Sequence, residues 1–498
     1  MDAGSETMLA RVYDVAVESP LELTEKLSRG VGHAVYLKRE DLQQVHSFKL
    51  RGAYNKIVHL SKEEQARGVI AASAGNHAQG VALAAKKLGL KALIVMPRTT
   101  PPIKIDAVRG YGATVELAGD NYSEAYDYCQ DRVKETGMTF IHPFDDPLVI
   151  AGQGTIGKEI LEQLPEVTHI FVPIGGGGLI AGIAQYVKSR RPDVKIIGVE
   201  PVDSNAMQLS VKAGKRVVLT HVGIFADGVA VKQVGEHTLA IAKKYVDGFV
   251  TVNTDQMCAA IKAIFEDTRA IVEPAGALAI AAISQAALPA DAKAVAICSG
   301  ANMSFEKLQL IAERTLLGSG KEAIYSIALP ERPGALQTLV NKVINGHSIT
   351  EFSYRLNKRD TARIFLGVSV AGPTEKQHLE NTLDTLGYTF SDLSDDDLTK
   401  EHVRHMIGGV SQDARHEKIF SFTFPERPGA LADFLKMLGN SFNISLFHYR
   451  SAASDNGSVL IGIEAEDKVA LLTKLKAANY PYEEVTSRKV VAQFIRSI

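Results

Sequence analysis

A lysine between apolar residues marks the first segment of the chain that could do chemistry. Lys49 stands in the run SFKLRGA, residues 47–53, where the pattern predicts the start of a helix. The positive end of a helix dipole and partial burial both lower the pKa of an amine. A neutral amine is what a Schiff base with an aldehyde requires. The same pattern also fits a surface lysine whose stem covers an amphipathic helix.

A second segment has the features of an anion site. The run SAGNHAQG, residues 73–80, follows the apolar run Val69–Ala72 and precedes a helical pattern. Backbone N–H groups at such a strand-to-helix turn suit a carboxylate, and Asn76 could donate to a ligand oxygen. The alternative is an ordinary turn in which Ser73 or Asn76 caps the helix.

Four consecutive glycines form the third segment. Gly175, Gly176, Gly177 and Gly178 precede Leu179, between a predicted strand and a predicted helix. Such a run lets backbone N–H groups wrap a phosphate at a helix start. Together with Ala181, the same glycines also satisfy G-x-G-x-x-A, and Glu200 ends the next predicted strand. That spacing imitates a dinucleotide fingerprint, so a nicotinamide-dependent oxidoreductase stays open as an alternative from another class.

A fourth segment, SGAN, begins at Ser299 directly after the apolar run that ends at Cys298. A hydroxyl group there can face a heterocycle in a cleft, and Gly300 permits close approach. The alternative is a simple Ser-Gly turn.

The elements around these segments predict an α/β fold. From Val35 to about Gly318, short apolar runs alternate with helical patterns such as 79–88, 153–164 and 254–268. Continuously apolar strands between helices are typical of parallel sheets covered on both faces. Nearly 300 residues are long for one sheet, so we expect two lobes with a cleft between them. The chemistry is expected on loops after the carboxyl ends of strands.

The remainder of the chain contains an internal repeat. The run ERPGAL at 331–336 returns at 426–431, and Phe352, Tyr354 and Arg355 return at the same offset as FxYR at 447–450. Each copy predicts strand, helix, strand, strand, helix, strand. The tail therefore reads as a pair of small βαββαβ modules.

Composition restricts the class of protein further. The chain has 498 residues with a net charge of −2, which gives no reason to expect a nucleic-acid or membrane partner. Its start lacks the pattern of a signal peptide, and the apolar run at 274–290 reads as a buried helix. Three cysteines cannot form a disulfide framework and indicate a reducing compartment, which we take to be the cytoplasm.

Taken together, the four segments resemble the fold-type II pyridoxal-phosphate enzymes. The run KREDLQ at 38–43, followed by SFKLRGAYN and SAGNH, is similar to biosynthetic threonine ammonia-lyase (threonine dehydratase). The resemblance implies a two-lobed catalytic domain of the tryptophan synthase β type at residues 1–318. The tail is similar to the paired ACT-like regulatory modules of that family, at 322–395 and 417–490.

The resemblance also assigns roles to individual residues. It implies that Lys49 is the Schiff-base lysine, preceded by Phe48 in the cofactor site. Asn76 contacts the ring hydroxyl of pyridoxal 5'-phosphate, Ser299 bonds the pyridine nitrogen, and Gly175 to Leu179 cradle the phosphate. The loop that holds the substrate carboxylate comprises Ser73, Ala74, Gly75, Asn76 and His77.

The implied reaction converts L-threonine to 2-oxobutanoate and ammonia, the first step of isoleucine biosynthesis. Related racemases have a serine where this chain has Ala74, so efficient racemisation is not expected. Some relatives bind a divalent cation through acidic residues after a strand-end glutamate. Ala206 replaces a carboxylate at that spacing after Glu200, and no metal site is predicted.

The modules imply regulation, with isoleucine as inhibitor and valine as its opponent, in a homotetramer. A ligand acts on activity only if it prefers one of two states of the protein. Three alternatives stay open beside the oxidoreductase. They are a β-eliminating serine dehydratase of this fold, a β-replacement enzyme of this fold such as a sulfhydrylase, and a non-enzymatic amino-acid sensor.

Overall fold

A computed structural model represents the protein, whose chain forms two compact units, Met1–Thr315 and Leu316–Ile498. The described residues are 4–119, 122–223, 225–305, 307–330, 332, 334–344, 346–356, 361–396, 399–400, 403–405, 411, 413–425, 429–450, 456–477, 480–488, 491 and 495.

The larger sheet of the first unit has six strands in the order β1-β2-β10-β7-β8-β9. All neighbours pair in parallel except β1, which runs antiparallel to β2. The central strands are buried and apolar because helices cover both faces of a parallel sheet. The strands are β1 (Leu21–Leu23), β2 (Ala34–Arg39), β7 (His169–Pro173), β8 (Lys195–Pro201), β9 (Gly248–Val252) and β10 (Lys293–Cys298).

A smaller sheet in the same unit has four parallel strands in the order β5-β4-β3-β6. Its separate core confirms the two-lobed organisation expected from the length of this region. The strands are β3 (Val69–Ala72), β4 (Ala92–Met96), β5 (Thr114–Leu117) and β6 (Thr139–Phe140).

Fourteen helices are described in this first part of the chain. They are α1 (Ser5–Met8), α2 (Glu25–Val31), α3 (Lys49–Val58), α4 (Lys62–Arg67), α5 (Asn76–Leu88), α6 (Pro102–Gly110), α7 (Tyr122–Thr136), α8 (Pro147–Gln163), α9 (Gly178–Arg190), α10 (Ala206–Ala213), α11 (Glu236–Tyr245), α12 (Thr254–Thr268), α13 (Pro274–Ile283) and α14 (Lys307–Gly318).

The predicted helices form, and the helix at 254–268 has the predicted bounds, whereas the start of another differs from the prediction. The helix expected from Gln153 begins six residues earlier, at Pro147. Asp146 caps that helix by accepting the backbone N–H groups of Leu148 and Val149. Asp followed by Pro is a helix-start signal, because the carboxylate satisfies free N–H groups and proline lacks one. The signal was therefore present in the sequence.

The apolar run that begins at Pro274 forms the buried helix α13, as predicted. All ten of its residues are buried, and the helix packs into the core of the larger lobe. Within the described part of the chain, no helix is both long enough and apolar enough to cross a bilayer.

The described residues of the second unit form one antiparallel sheet of eight strands, in the order β14-β11-β13-β12-β16-β17-β15-β18. Each half has the predicted βαββαβ order, and pairing of β12 with β16 joins the two halves. The strands are β11 (Glu322–Pro330), β12 (Ile349–Arg355), β13 (Thr361–Ser369), β14 (Phe390–Asp392), β15 (Glu417–Pro425), β16 (Asn443–Arg450), β17 (Asn456–Glu464) and β18 (Tyr482–Glu484).

Among the described residues of the second unit, the α-helices are α15 (Ala335–Leu339), α16 (Pro373–Thr385), α17 (Ala430–Leu438) and α18 (Lys468–Ala477). Gly334 and Gly429 precede α15 and α17 with φ of +82° and +84°, a backbone region that favours glycine. In the repeated ERPGAL run, Glu331, Pro333 and residues 426–428 lie outside the described residues.

Candidate active site

Three strands end where the sequence analysis places candidate site residues. Strand β3 ends directly before Ser73, β10 ends directly before Ser299, and β7 ends two residues before Gly175. The carboxyl ends of parallel strands in one sheet lie at the same edge, where ligands bind in open α/β folds. Strands β7 and β10 belong to the six-stranded sheet, so the loops that begin at Gly175 and Ser299 share one edge, whereas the loop after β3 belongs to the four-stranded sheet.

Lys49 is the first residue of helix α3, as predicted, and its backbone is tied to the end of β10. Ser47 forms an isolated antiparallel bridge with Gly300, and the Phe48 N–H donates to the Ser299 carbonyl oxygen over 3.2 Å. These bonds hold the predicted lysine segment against the predicted serine segment.

The Lys49 amine lies in a partly buried position that lowers its pKa. Burial lowers this pKa to about 8, while the nearby Glu273 carboxylate acts in the opposite direction. The amine donates a hydrogen bond to the Pro143 carbonyl oxygen over 3.1 Å, and the Phe48 ring centre lies 5.4 Å from it. Desolvation favours the neutral amine, so a reactive fraction exists near neutral pH.

The predicted carboxylate loop forms the turn between β3 and helix α5. Helix α5 begins at Asn76 after Gly75, whose N–H donates to the Ser73 hydroxyl oxygen over 3.3 Å. Within the described residues, no side chain caps this helix start. The exposed N–H groups of an uncapped helix start suit an anion. The alternative of a capping Ser73 or Asn76 is therefore wrong for this turn.

His77 follows in the same helix, but its ring is directed into the protein. The buried imidazole donates from Nε2 to the Ile141 carbonyl oxygen over 2.8 Å. Burial and the nearby Lys49 charge lower its pKa to about 3, so the ring is neutral at physiological pH. Its side chain is accordingly committed to an internal hydrogen bond.

The side-chain amide of Asn76 is held at both ends. Its nitrogen donates to Glu273 Oε1 over 2.7 Å, and its oxygen accepts from the Asn302 side-chain amide over 2.7 Å. Glu273 was not identified from the sequence, because it lies 197 residues from Asn76. The structure brings these groups to the same place as Lys49, whose pKa responds to the Glu273 charge.

The four glycines form a tight turn into helix α9, which begins at Gly178. Gly177 has φ of +98°, and a Cβ atom on Gly176 would lie 2.2 Å from the Phe144 ring. Glycine is required at both positions, for backbone conformation and for space. Among the described residues no side chain caps helix α9, so its first N–H groups can receive a phosphate.

The glycine turn is positioned by two residues that the sequence analysis missed. The Thr238 hydroxyl group donates to the Gly176 carbonyl oxygen over 2.7 Å. The Asp145 carboxylate accepts the N–H groups of Glu236, His237 and Thr238 at the start of helix α11. Asp145 directly follows Phe144, whose ring packs against the glycines. The loop that contains these two residues therefore contacts both the glycine turn and the start of helix α11. The only sequence signal for Asp145 was its position three residues after His142. Such a spacing is too common to predict a functional role.

Glu200 has a structural role at a helix start. Its two carboxylate oxygens accept the backbone N–H groups of Met207 and Gln208, each over 2.8 Å. Burial raises its pKa to about 7. Both carboxylate oxygens of Glu200 are therefore used in hydrogen bonds within the protein. The dinucleotide alternative depended on this same carboxylate as a ligand-binding group. Separately, no group of three metal-ligating side chains occurs among the described residues.

The assembled groups fit pyridoxal phosphate. An amine of lowered pKa suits its aldehyde, and the glycine turn at an uncapped helix start suits its phosphate. Asn76 has one side-chain N–H left for a ring hydroxyl after its bond to Glu273. Ser299, 4% exposed, directly follows β10 at the same edge of the sheet.

Comparison with known proteins agrees with this geometry. Residues 13–300 match the family described as pyridoxal-phosphate dependent enzyme, and residues 313–403 and 408–495 match the C-terminal regulatory domain of threonine dehydratase. The chain is 49% identical to L-threonine dehydratase biosynthetic IlvA of Burkholderia multivorans, over 98% of both proteins. It is 44% identical to the protein of that name in Escherichia coli, over 98% of this chain and 95% of that protein.

Solved structures resemble the first unit. The processed form of threonine deaminase isoform 2 from Solanum lycopersicum has a TM-score of 0.62 and 52% identity, and the match covers 63% of this chain and 92% of that chain. Maize serine racemase has a TM-score of 0.59 and 33% identity, covering 63% and 97%. The chain therefore belongs to the pyridoxal-phosphate-dependent enzymes and, within them, to the biosynthetic threonine dehydratase family, as the sequence motifs indicated.

Proposed function

We propose that this chain converts L-threonine to 2-oxobutanoate and ammonia as the first step of isoleucine biosynthesis. The observation that carries the proposal is the position of Lys49, which follows Phe48, whose N–H donates to the Ser299 carbonyl oxygen. The Lys49 amine donates to the Pro143 carbonyl oxygen, and its pKa is lowered to about 8 by burial. Relatives of nearly the same length are biosynthetic threonine dehydratases, which supports threonine as the substrate.

Lys49 holds the cofactor and then accepts the proton from the substrate's α-carbon. Its lowered pKa supports this role, because only the neutral amine can take a proton. When bound, pyridoxal phosphate supplies a conjugated system that spreads the negative charge developing at this carbon. Phe48 contributes apolar surface beside the amine.

Three further groups orient the cofactor. Backbone N–H groups of Gly175, Gly176, Gly177, Gly178 and Leu179 bind the phosphate at the start of helix α9. Asn76 donates to the ring hydroxyl, and Ser299 donates to the pyridine nitrogen. A serine hydroxyl group stays neutral and does not hold that nitrogen protonated, so negative charge at the α-carbon is short-lived. A short lifetime favours prompt loss of the β-hydroxyl group.

The turn from Ser73 to His77 binds the substrate carboxylate through backbone N–H groups. Support comes from the uncapped start of helix α5 and from the His77 ring, which is directed to the Ile141 carbonyl group. Ala74 carries no group that can transfer a proton on the other side of the substrate. Elimination is therefore expected, and racemisation is not.

Isoleucine binds the second unit and inhibits the enzyme, and valine binds the same unit and opposes this inhibition. A cavity there is lined by Leu329, Arg332 and Tyr354 of the first module and by Leu435 and Phe442 of the second. The aliphatic and aromatic side chains suit a branched side chain, and the guanidinium group suits a carboxylate. The site connects both modules, so its occupancy can change their pairing.

Three organisational expectations complete the proposal. The catalytic domain comprises residues 1–318 and the two modules comprise 322–395 and 417–490. The protein acts as a homotetramer in the cytoplasm. The buried, free cysteines Cys129, Cys258 and Cys298 support a reducing compartment. Size measurement by light scattering tests the assembly.

A turnover assay tests the proposal directly. Purified protein with pyridoxal phosphate is expected to release 2-oxobutanoate from threonine, and millimolar isoleucine is expected to reduce the rate. Faster release of pyruvate from serine would instead favour a serine dehydratase. No keto acid from either substrate would contradict the catalytic proposal, whereas turnover unaffected by isoleucine would contradict the regulatory part.

A further inference from the structure

A chain of hydrogen bonds determines which way the Asn76 amide faces. The Asn302 side-chain nitrogen donates to the Val45 carbonyl oxygen and to Asn76 Oδ1, over 2.7 Å in each case. Both N–H groups of Asn302 are thereby used, and a backbone carbonyl accepts but never donates. Asn76 must present its oxygen to Asn302, so its nitrogen faces Glu273 Oε1 at 2.7 Å.

Glu273 is buried at the point where these side chains meet. It is 3% exposed, and its backbone N–H donates to the Gly300 carbonyl oxygen over 3.2 Å. Burial first, and then the Asp227 charge, raise its pKa to about 7. The titratable groups that interact with it electrostatically are Lys49, Lys104, Asp227 and Cys298.

We propose that Glu273 is a positioning residue of the reaction, acting through Asn76 and on Lys49. By accepting one N–H of the Asn76 amide, its carboxyl group aims the second N–H at the ring hydroxyl of the cofactor. Its negative charge interacts electrostatically with the Lys49 amine and favours the protonated form of that amine. The inference rests on the proposed function for the identity of the cofactor. The effect of the Glu273 charge on Lys49, however, requires no bound group.

Two substitutions separate hydrogen bonding from charge. Glu273→Gln keeps an acceptor for Asn76, whereas Glu273→Met removes it at similar length. We expect the dissociation constant of pyridoxal phosphate, measured spectroscopically on the full chain, to rise about tenfold or more in the Met variant. The Gln variant should stay within about threefold of the unchanged chain. Equal affinity in all three proteins, or an equal loss in both variants, would overturn the proposal.

A titration of Lys49 without cofactor tests the charge effect. Competitive labelling of the cofactor-free full chain with trace acetic anhydride, followed by peptide mapping, gives the pKa of this amine. Glu273→Gln is expected to raise its acid dissociation constant about threefold or more, because a favourable charge is lost. Glu200→Gln is the control, since it neutralises another buried carboxyl group that contacts Met207 and Gln208 instead.

The two measurements give distinct outcomes. An unchanged Lys49 pKa in Glu273→Gln, or an equal change in Glu200→Gln, would overturn the inference even if the Met variant fails to fold. Failure of the unchanged protein to bind pyridoxal phosphate at all would instead contradict the proposed function.

Discussion

The Thr238 hydroxyl group donates a 2.7 Å hydrogen bond to the carbonyl oxygen of Gly176. This bond fixes the second glycine of the turn from a different helix, α11. The start of that helix is in turn held by Asp145. The turn therefore keeps its shape through side chains, although its own residues have none.

Thr238→Val tests this support. The valine keeps the volume but removes the donor, so the Gly176 carbonyl group loses its partner. We expect the dissociation constant of pyridoxal phosphate to rise about twofold to tenfold, the range for one net hydrogen bond.

The matched control is Thr315→Val. The Thr315 hydroxyl group is also buried and donates to the Ile311 and Cys258 carbonyl oxygens, within the same unit. This variant should bind the cofactor like the unchanged protein. Equal losses in both variants would show that a general loss of stability, rather than the shape of the turn, was measured.

Glu200 makes the stability of the first unit depend on pH. Burial raises the pKa of its folded-state carboxyl group from 4.5 to about 7. Between these values the folded protein binds more protons than the unfolded chain, so the free energy of unfolding falls as pH rises. Glu200→Gln should lack this contribution.

Chemical unfolding of both proteins at several pH values measures the effect. The measured quantity is the free energy of unfolding of the unchanged protein minus that of Glu200→Gln. This difference should fall by up to about 3 kcal/mol between pH 4.5 and pH 7. Above pH 7 the difference should become constant. A difference that does not change with pH would contradict the raised pKa of Glu200.

Arg355 connects the two modules through a buried ion pair. It lies on β12 and binds the Glu417 carboxylate on β15, and it also donates to the Ser445 carbonyl oxygen over 3.2 Å. Arg355→Met leaves the carboxylate buried without this partner, which typically costs about 3–5 kcal/mol. Combining it with Glu417→Met should recover part of the loss.

Hydrogen exchange measured by mass spectrometry on the full chain follows the effect. Peptides from β12 and β16 should exchange faster in Arg355→Met than in the double variant. Exchange in Arg355→Met identical to that of the unchanged protein would mean that the ion pair does not stabilise the pairing of the modules.

The sequence predicted what depends on neighbouring residues. Lys49 begins a helix as expected, and the repeat at constant offset predicted two βαββαβ modules. Apolar runs between helical patterns predicted the parallel strands, because burial on both faces requires such runs. The helix and strand signals lie within about 20 residues, and the repeat is visible by comparing 331–336 with 426–431, so neither needs knowledge of tertiary contacts.

The supports of the site could not be predicted in the same way. Glu273 contacts Asn76 across 197 residues, and Asp145 contacts His237 across 92. A glutamate before a proline and an aspartate in a loop are common and have no distinctive spacing. Their roles arise only when the chain folds and brings these distant residues into hydrogen-bond contact.

The central claim is that the cofactor is carried by Lys49, and borohydride reduction tests it most directly. The holoenzyme is reduced with sodium borohydride, digested, and mapped by mass spectrometry. The pyridoxyl mass is expected on the peptide that contains Lys49, and it should be absent from that peptide in Lys49→Ala. A label on another lysine, or no label on the unchanged protein, would contradict the account.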